Sequence, residues 1–463
     1  MKHTFKRFFT FCFLLQTIQG FTQQINHLQN GIWLQEGYDR VLTIKDTAYV
    51  YYNLDPVNCK ALAEGNFKGR FSVVSITDSL LVLNPGGIVN YNFKRINQLP
   101  EICTKPFFKE NSFEKNFEIF WLTFNNNYAF FKERKINWQK VHDNYLPRIK
   151  KINTEQEFAL ILQEIVKKIN DGHIRLEIPE NLISKTNQLP LKPKKSRNEV
   201  IQDIQKNYTE KIKSYNNGVI KWGFLQNSKS GYILITDMNN FANYVKDSEQ
   251  DSKDFSKKYE AISKTKSPLE MFDDELKGVE KVMNIILDDF KGTQSIVIDL
   301  RFNGGGYETV ALKLLSYFVL DKKEILSIKA KTQNGFSKNQ HYTLIPAQNT
   351  YSKKVYLLTS HNTASAAEIF SLGTLNYPEI IRIGSPTAGI FSELLWKELP
   401  NGWEFSLSNE VYSDNKNKSY EGIGIPVNHE MHYSKDRSAF YNEFYNAGSS
   451  QDKTLEKVLR LEK

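Results

Sequence analysis

The fold is decided by one stretch of sequence, VIDLRFNGGGYETV, at residues 297–310. Its first residues are almost continuously apolar, as in a strand that is buried on both faces. Asn303 then turns the chain, and three glycines follow that let another group approach the backbone closely before a helix begins at Glu308. The N–H groups of such a turn can converge on one anion. A phosphate loop would have Lys and Ser or Thr where Tyr307 and Glu308 stand, so we expect an oxyanion site, with a plain tight turn as the alternative.

A second strand–turn–helix unit follows in VYLLTSHNTASAAEIF, residues 355–370, with Ser365 at the start of the predicted helix. Ser365 and Glu368 have the spacing of a capping box, which is the structural explanation for a serine at this place. The small side chains around Ser365 leave space at its hydroxyl, and a helix N-terminus stabilises negative charge. Ser365 is therefore a candidate nucleophile, and Ala366 a candidate donor to an oxyanion.

The surrounding sequence alternates between strand and helix signals. It predicts a strand at 232–238, a long helix carrying Phe272 to Phe290 on one face, a helix at 308–320, strands at 325–330 and 355–359, a helix at 365–375, a strand at 380–383 and a hairpin at Asn401–Gly402. Such alternation is typical of an α/β domain with a largely parallel sheet. The functional residues are expected at the ends of its strands.

The first part of the chain has a different character. Residues 31–102 show strand signals and predict a small β-rich domain. Helical periodicity begins at Phe113, and a second helix starts at the capping box Thr154–Glu157. That helix ends at Asn170-Asp171-Gly172-His173, so His173 lies at a helix-to-strand corner. The polar, lysine-rich residues 180–230 predict a linker region with a helix near 198–215.

Composition restricts the class of protein. The chain has 463 residues, 40% of them hydrophobic and 24% charged, which predicts a globular protein of two or three domains. The net charge is 61 − 52 = +9, and the basic residues are scattered except around Lys192 to Arg197. No nucleic-acid recognition motif accompanies them, so a solvated face is favoured and no nucleic-acid partner is expected.

The N-terminal segment MKHTFKRFFTFCFLLQTIQGFTQQ has cations ahead of a short apolar run. This pattern predicts a signal peptide over residues 1–22 and an exported protein, periplasmic or secreted. The run is too short to cross a bilayer, so no transmembrane anchor is expected after cleavage. Cys59 and Cys103 then remain. They could form one disulfide, but their spacing leaves this open.

A nucleophilic serine needs a base and a group that orients the base. His173 can point into a cleft from its corner, although a structural hydrogen-bonding histidine is the more common explanation for such a residue. Glu421 in YEGIGIP, flanked by Gly422 and Gly424, is a candidate for the orienting acid. The alternative for Glu421 is an exposed loop carboxylate.

Taken together, these residues resemble the tail-specific, or C-terminal-processing, serine peptidases, and within them the branch of the tricorn protease core. The resemblance covers about residues 113–430. Its motifs occur in the family's order: FEIFWLTFNNNYAFFKERKINW, NDGHIRL, VIDLRFNGGG, TSHNTASAAEIF, GSPTAG and YEGIGIP. Each motif alone is weak, but their ordered joint occurrence is specific.

The resemblance implies a spiral ββα fold like that of crotonase and the Clp protease. It also implies Ser365 as nucleophile, His173 as general base, Glu421 as orienting acid, and amides of Gly304, Gly305, Gly306 and Ala366 around the oxyanion. The family's other branch uses a Ser-Lys dyad, but Thr387 to Phe391 contains no lysine where that dyad needs one. The tricorn-like branch can place a serine before its histidine, where this chain has Gly172.

The predicted organisation is a signal peptide (1–22), a β-rich N-terminal domain (23–110), a helical subdomain with the His173 corner (111–180), a linker region (181–230), an α/β catalytic core (231–435) and a C-terminal helix or tail (436–463). We predict an exported serine endopeptidase that acts on a polypeptide substrate through an acyl-enzyme, with no metal and no other cofactor. The alternatives are a binding protein for peptides or apolar ligands on the same fold, and an esterase-like hydrolase.

Overall fold

The structure is a computed structural model that describes residues 29–109, 111–182, 194–444 and 451–463. The predicted signal peptide lies outside the described residues. The helices are α1 (Phe67–Arg70), α2 (Phe113–Asn127), α3 (Trp138–Ile149), α4 (Glu155–Ile169), α5 (Arg197–Tyr208), α6 (Phe255–Ser263), α7 (Pro268–Asp289), α8 (Glu308–Leu315), α9 (Ala366–Gly373), α10 (Arg437–Glu443) and α11 (Lys453–Leu461).

The strands are numbered in chain order. They are β1 (Gly31–Gln35), β2 (Arg40–Lys45), β3 (Ala48–Leu54), β4 (Cys59–Asn66), β5 (Ser72–Ile76), β6 (Leu80–Asn84), β7 (Tyr91–Ile96), β8 (Leu176–Glu177), β9 (Thr209–Tyr215), β10 (Ile220–Leu225), β11 (Ser230–Ile235), β12 (Ser295–Asp299), β13 (Lys323–Thr332), β14 (Gly335–Phe336), β15 (Gln340–Leu344), β16 (Lys354–Thr359), β17 (Ile380–Gly384), β18 (Leu394–Glu398), β19 (Glu404–Ser408), β20 (Glu410–Asp414) and β21 (His429–Glu430).

The N-terminal strands form one antiparallel sheet of seven strands in the order β4-β3-β2-β1-β7-β6-β5. Alternate residues of β3 are buried, as expected of a sheet with one face on a core. A disulfide joins Cys59 in β4 to Cys103, with the two Cα atoms 4.8 Å apart. The pairing that the sequence left open is therefore present in the structure.

Helix α2 has the periodicity that the sequence showed from Phe113, and Phe117, Phe120 and Phe124 are buried on one face of it. The predicted capping box at Thr154 and Glu157 is present and starts α4. The apolar face of α4 is buried, while Asn170 ends the helix in the left-handed conformation (φ 54°). This helix end turns the chain toward β8 and places His173 at the corner.

The central sheet has seven strands in the order β21-β17-β16-β12-β11-β10-β9. From β11 to β21 all neighbours are parallel, whereas β9 and β10 are antiparallel at one edge. Helices α7, α8 and α9 contribute buried residues to the core on one face of the sheet, and α5, α10 and α11 to the core on the other. The predicted α/β class with a largely parallel sheet is confirmed.

Two further antiparallel groups lie around this sheet. Strand β13 pairs with β14, β15 and β20. The hairpin predicted at Asn401–Gly402 joins β18 to β19, and β19 also pairs with the short β8. That last pairing fixes the segment that follows His173.

The structure differs from the sequence-based elements mainly in residues 181–230. The helix predicted near 198–215 ends at Tyr208, and the chain continues as β9 and β10 of the central sheet. Strand β9 is the sheet edge and most of its side chains are partly or fully exposed, so it carries polar and charged residues that made the segment look like a linker. The helix predicted at 308–320 ends at Leu315 and continues as a 3₁₀ turn.

The C-terminal segment is part of the molecule's core. Residues of α10 and α11 pack with those of β11, β12 and β16. Arg301 is fully buried and donates to both Asp299 and Asp452, at 2.6 and 2.7 Å. This ion pair joins the residue before α11 to the end of β12, so the two C-terminal helices are tied to the sheet. Within the described ranges, no helix combines the length and the apolarity needed to cross a membrane.

Candidate active site

Ser365 occupies the sharp turn between β16 and α9. Its backbone has φ 55° and ψ −126°, a region that residues other than glycine rarely adopt. Such conformations cost about 1–3 kcal/mol and persist where the surrounding structure imposes them, often at functional sites. The residue is half-buried, with buried Ala366 and Ala367 directly after it. The turn thus holds the side chain of Ser365 at the N-terminus of a buried helix.

The glycine turn after β12 lies directly against Ser365. A Cβ at position 305 would stand 2.7 Å from the Cβ of Ser365 and 3.2 Å from the amide nitrogen of Ala366. Gly305 also has φ 115°, so only glycine suits this position. Because β12 and β16 are parallel neighbours, their carboxyl ends bring the two predicted turns together.

The amides of the turn are not equivalent. The Gly305 N–H donates to Oδ1 of Asn303 at 2.8 Å, and the Asn303 amide group donates to the carbonyl of Ile235 at 3.1 Å. The N–H groups of Gly304, Gly306 and Ala366 have no acceptor among the residues that the structure describes. Unpaired amides beside the strained serine are suited to bind an anion.

Glu368 ties helix α9 to the loop before β18. Its Oε1 accepts from the Thr387 hydroxyl (2.6 Å) and the Gly389 amide (2.7 Å). Its Oε2 accepts from the amides of Ile390 (2.8 Å) and Ser365 (3.3 Å). Burial raises the pKa of Glu368 to about 7, against the lowering effect of these donors. The sequence indicated only a helix cap for Glu368, whereas in the structure its buried carboxylate also holds the loop of residues 387–390.

His173 is held at its corner by strand β19. The Ser406 hydroxyl donates to the His173 carbonyl at 2.7 Å, and the His173 amide donates to Asp171 at 2.9 Å. Nδ1 of the ring is buried and has no hydrogen-bond partner in the described part of the chain. Burial lowers the pKa of His173, while the charge of Asp171 and a hydrogen bond from the ring to the Ser392 backbone act in the opposite direction. The ring is therefore neutral at pH 7 and can accept a proton.

The segment 390–392 connects the three predicted residues. The carbonyl of Ile390 accepts from the Ser365 amide at 3.1 Å, and its side chain lies over Gly172, where a Cβ would stand 2.5 Å from Ile390 Cδ1. A side chain at position 172 would therefore require the end of the Ile390 side chain to move. The next residue, Phe391, donates its amide to Glu421 at 3.0 Å, and Ser392 bonds the ring of His173. Ser365 through its amide, and His173 and Glu421 through their side chains, thus contact one short segment.

Glu421 is buried, and its hydrogen bonds go to other partners than His173. Oε2 accepts from the Phe391 amide, and Oε1 accepts from Arg134 at 2.8 Å. Burial and then the charge of Asp171 raise the pKa of Glu421 to about 8. No hydrogen bond joins Glu421 to His173 within the described ranges, so its predicted role as orienting acid stays a prediction.

Sequence reasoning missed the residues around that carboxylate. Arg134 lies between Glu421 and Asp171, with Nε 3.6 Å from Asp171 Oδ2, and the Tyr128 hydroxyl donates to the same oxygen at 2.9 Å. Asp171, two residues before His173, is the charged group that acts most on that ring. Its place in the Asn170-Asp171-Gly172-His173 corner was a usable signal, whereas Arg134 is 287 residues from Glu421 and carried none.

Two known protein families match parts of this chain. Residues 229–431 match peptidase family S41, and residues 109–167 match the Tricorn protease C1 domain. A curated relative named "Probable CtpA-like serine protease", from Staphylococcus saprophyticus, is 30% identical over 139 residues. That alignment covers 29% of this chain and 27% of the relative, so the chain spans about a quarter of the length of the curated protein it matches.

Solved structures share the fold. A candidate peptidase from Parabacteroides merdae superposes with a TM-score of 0.57 at 19% identity, covering 76% of this chain and 97% of that one. Mature CPAF superposes with a TM-score of 0.51 at 9% identity, covering 72% and 95%. At these identities the likeness concerns the fold alone.

Proposed function

Residues 229–431 of this chain belong to peptidase family S41, and from this premise we propose that the protein is a serine endopeptidase with Ser365 as nucleophile and His173 as general base. The strained backbone of Ser365, against a glycine turn with unpaired amides, is the observation that carries the proposal. A serine that only caps a helix has no need of that conformation.

In the proposed reaction, His173 takes the hydroxyl proton of Ser365 while the oxygen attacks the carbonyl carbon of a peptide bond. The tetrahedral intermediate then breaks its C–N bond, and His173 gives the proton to the leaving amine. Water enters, loses a proton to His173 and hydrolyses the acyl-enzyme, which regenerates Ser365. The lowered pKa of His173 keeps the base neutral at pH 7.

The oxyanion of this intermediate is assigned to the Ala366 amide and to the turn of Gly304, Gly305 and Gly306. The Ala366 N–H starts a helix, so the helix dipole adds to its hydrogen bond. Within the turn, the amides of Gly304 and Gly306 are free to donate, whereas an oxyanion would have to compete with Asn303 for the amide of Gly305.

The role of orienting His173 is assigned to the cluster of Glu421, Arg134 and Asp171 together, and not to one carboxylate alone. Asp171 acts on the His173 ring electrostatically and holds its backbone. Glu421 holds Phe391, the residue before the one that bonds the ring. In this arrangement Glu421 is a positioning residue for His173.

Export is a further part of the proposal. The N-terminal segment has the pattern of a signal peptide, and the Cys59–Cys103 disulfide is of the kind that persists outside the reducing cytoplasm. A polypeptide in the same oxidising compartment is then the substrate.

Labelling with a fluorophosphonate, which reacts with activated serines, tests the nucleophile without a guess at the substrate. We expect purified protein to be labelled, Ser365→Ala to be unlabelled, and His173→Ala to be labelled at least about 1,000-fold more slowly. Ser371→Ala, on the same helix with its hydroxyl bonded to the Ala367 carbonyl, is the matched control. Absent labelling of folded wild-type protein would contradict the proposal and favour a binding protein.

The choice between peptides and simple esters needs a second assay. We expect unfolded casein to be cleaved internally, and the fragments to be detected by mass spectrometry. Turnover of small esters without any cleavage of casein would instead indicate an esterase-like hydrolase that uses the same residues.

A further inference from the structure

A cavity lies at the end of the central sheet that is opposite to Ser365. It has a volume of about 720 Å³, and its lining includes the first residues of three adjacent parallel strands: Ser230 of β11, Ser295 of β12 and Lys354 of β16. These three residues are paired in register, so their side chains point to the same face of the sheet. Ser365 lies beyond the other end of β16, and a strand of six residues spans about 20 Å. The cavity is therefore separate from the candidate active site.

One wall of the cavity is formed by the end of helix α11. Glu462, the residue after this helix, lines the cavity, and its Oε2 accepts from the Ser228 hydroxyl at 2.7 Å. Its Oε1 accepts from the hydroxyls of Ser230 and Ser295. Three neutral donors thus satisfy this carboxylate, and it forms no ion pair with any residue that the structure describes.

The remaining charges of the lining are positive. Lys229, Lys354 and Lys463 line the cavity, each is exposed, and none of them forms an ion pair within the described ranges. Three ammonium groups therefore stand against the single carboxylate of Glu462, which hydroxyls already satisfy. The excess positive charge favours an anion in the cavity. Unpaired lysines are ordinary on an open surface, so a ligand site needs a second indication.

The second indication is the hydroxyl of Tyr356. The side chain is fully buried and lines the cavity, and its hydroxyl has no hydrogen-bond partner in the described part of the chain. The ammonium nitrogen of Lys354 lies 5.7 Å from the centroid of the Tyr356 ring, so the cation and the phenol belong to one wall. Burial and then the charge of Glu462 raise the pKa of Tyr356 to about 12, so the hydroxyl keeps its proton and is a donor. Buried phenols normally have a partner, and this one has none in the protein.

We propose that this cavity binds a small organic phosphate, with Lys229, Lys354 and the Tyr356 hydroxyl as donors to the phosphate group. Several ammonium groups suit a phosphate dianion better than a carboxylate, which carries one charge, and lysine binds phosphate as a point charge. The volume exceeds that of a free ion and lies in the range of small-molecule sites. The organic part of the ligand packs against the side chain of Leu459, which also lines the cavity.

The site is independent of the proposed peptidase function. None of the residues that line it belongs to the turns of Ser365 and Gly305 or to the corner of His173. Ser365→Ala protein should therefore bind the ligand as wild-type protein does.

Isothermal titration calorimetry of the purified protein with phenyl phosphate tests the site. Inorganic phosphate, benzoate and phenol are titrated in parallel, so that a free phosphate ion, a monoanion and the neutral ring are distinguished from the ester. We expect phenyl phosphate to bind about 10-fold more tightly than inorganic phosphate and benzoate, and phenol not to bind. Equal affinity for inorganic phosphate and the ester would overturn the organic part of the proposal and leave a site for the free ion.

Two variants locate the binding. Lys354→Gln should weaken binding of phenyl phosphate about 10-fold, since it removes a charge that contacts the phosphate. Tyr356→Phe should weaken it several-fold, yet the free protein should be at least as stable as the wild type, because a buried unpaired hydroxyl is removed. A purely structural tyrosine would not show these two effects together.

Lys206→Gln is the matched control, because Lys206 is an exposed lysine of α5 that does not line the cavity. It should bind phenyl phosphate with wild-type affinity. Absence of binding to folded wild-type protein at about 10 mM phenyl phosphate would overturn the site. Binding that both Lys354→Gln and Tyr356→Phe leave unchanged would overturn it equally, since the anion would then lie elsewhere.

Discussion

Ser365 is the residue at which local strain and proposed chemistry coincide. Its φ of 55° is unfavourable for any side chain with a Cβ, and Gly305 packs so closely against it that a Cβ at position 305 would lie 2.7 Å from the Ser365 Cβ. We expect Ser365→Gly and Ser365→Ala to be equally inactive but not equally stable. Relief of backbone strain in the glycine variant should outweigh the effect of the greater conformational entropy of its unfolded chain. Its free energy of unfolding should therefore be about 1 kcal/mol higher than that of the alanine variant.

Thermal unfolding followed by circular dichroism measures this difference. Ser371 has helical backbone geometry within α9, so Ser371→Gly should be less stable than Ser371→Ala by about 1 kcal/mol. An alanine variant at position 365 that matches or exceeds the glycine variant in stability would show that the strain is not real.

A second prediction at this scale concerns the acid limb of the pH profile, that is, the loss of activity at low pH. Burial lowers the pKa of His173, and the charge of Asp171 partly restores it. Activity that needs neutral His173 should therefore be lost only as the pH falls below about 6.5, the ordinary histidine value. Asp171→Asn removes the charge and keeps an acceptor for the His173 amide, so the pKa should fall further and the limb should move to lower pH.

The measurement is kcat/KM for an activated ester between pH 4 and 9. Asp143→Asn, an exposed acid on α3, should leave the acid limb unchanged. A limb that moves to higher pH in Asp171→Asn would show that another group is the base.

At the scale of elements, Glu368 connects helix α9 to the loop of residues 387–390. Its two oxygens accept four hydrogen bonds, three of them from amides of that loop and of Ser365. In Glu368→Gln one of the two acceptors becomes a donor that faces other donors. We expect a loss of about 1–3 kcal/mol in stability and slower fluorophosphonate labelling.

Chemical denaturation and the labelling rate should change together in this variant. Glu379→Gln, an exposed change shortly after the same helix, should affect neither. A normal labelling rate in Glu368→Gln would mean that the loop does not position Ser365.

At the scale of the whole molecule, Lys397 joins the N-terminal sheet to the hairpin of β18 and β19. The ammonium group is buried and donates to four oxygens of the N-terminal domain: Tyr38 O, Asp39 O, Asn53 Oδ1 and Leu54 O, at 2.9–3.4 Å. Lys397→Met would leave these acceptors unpaired, at a cost of about 2–5 kcal/mol. Since Ser406 of β19 bonds the carbonyl of His173, fluorophosphonate labelling should slow together with peptide cleavage.

Hydrogen exchange over residues 31–96, together with the two activity assays, tests this coupling. Lys60→Met is a close control, because Lys60 pairs with Glu398 across the same two elements at an exposed site. Its effect should stay below about 1 kcal/mol. A normal labelling rate in Lys397→Met would show that the N-terminal sheet does not help to hold the corner of His173.

Much of the fold could be predicted from the sequence because its signals are local. The apolar runs of β12 and β16, the glycine turn and the alanines around Ser365 each lie within about fifteen residues, and they predicted two adjacent strand–turn–helix units. The corner that carries His173 was readable from the helix end at Asn170. Strands β9 and β10 were missed, since the polarity of an edge strand resembles that of a linker.

The sequence by itself determined the α/β class, the place of Ser365 at the start of a helix and the corner of His173, since periodicity and turn chemistry act over a few neighbouring residues. Only the tertiary structure decided which charges meet. Arg134 reaches Glu421 across 287 residues, and the Tyr38 hydroxyl reaches Glu410 across 372. Contacts of this kind depend on how the sheets pack, and burial, which shifts the pKa of each of these groups, exists only once the chain has folded.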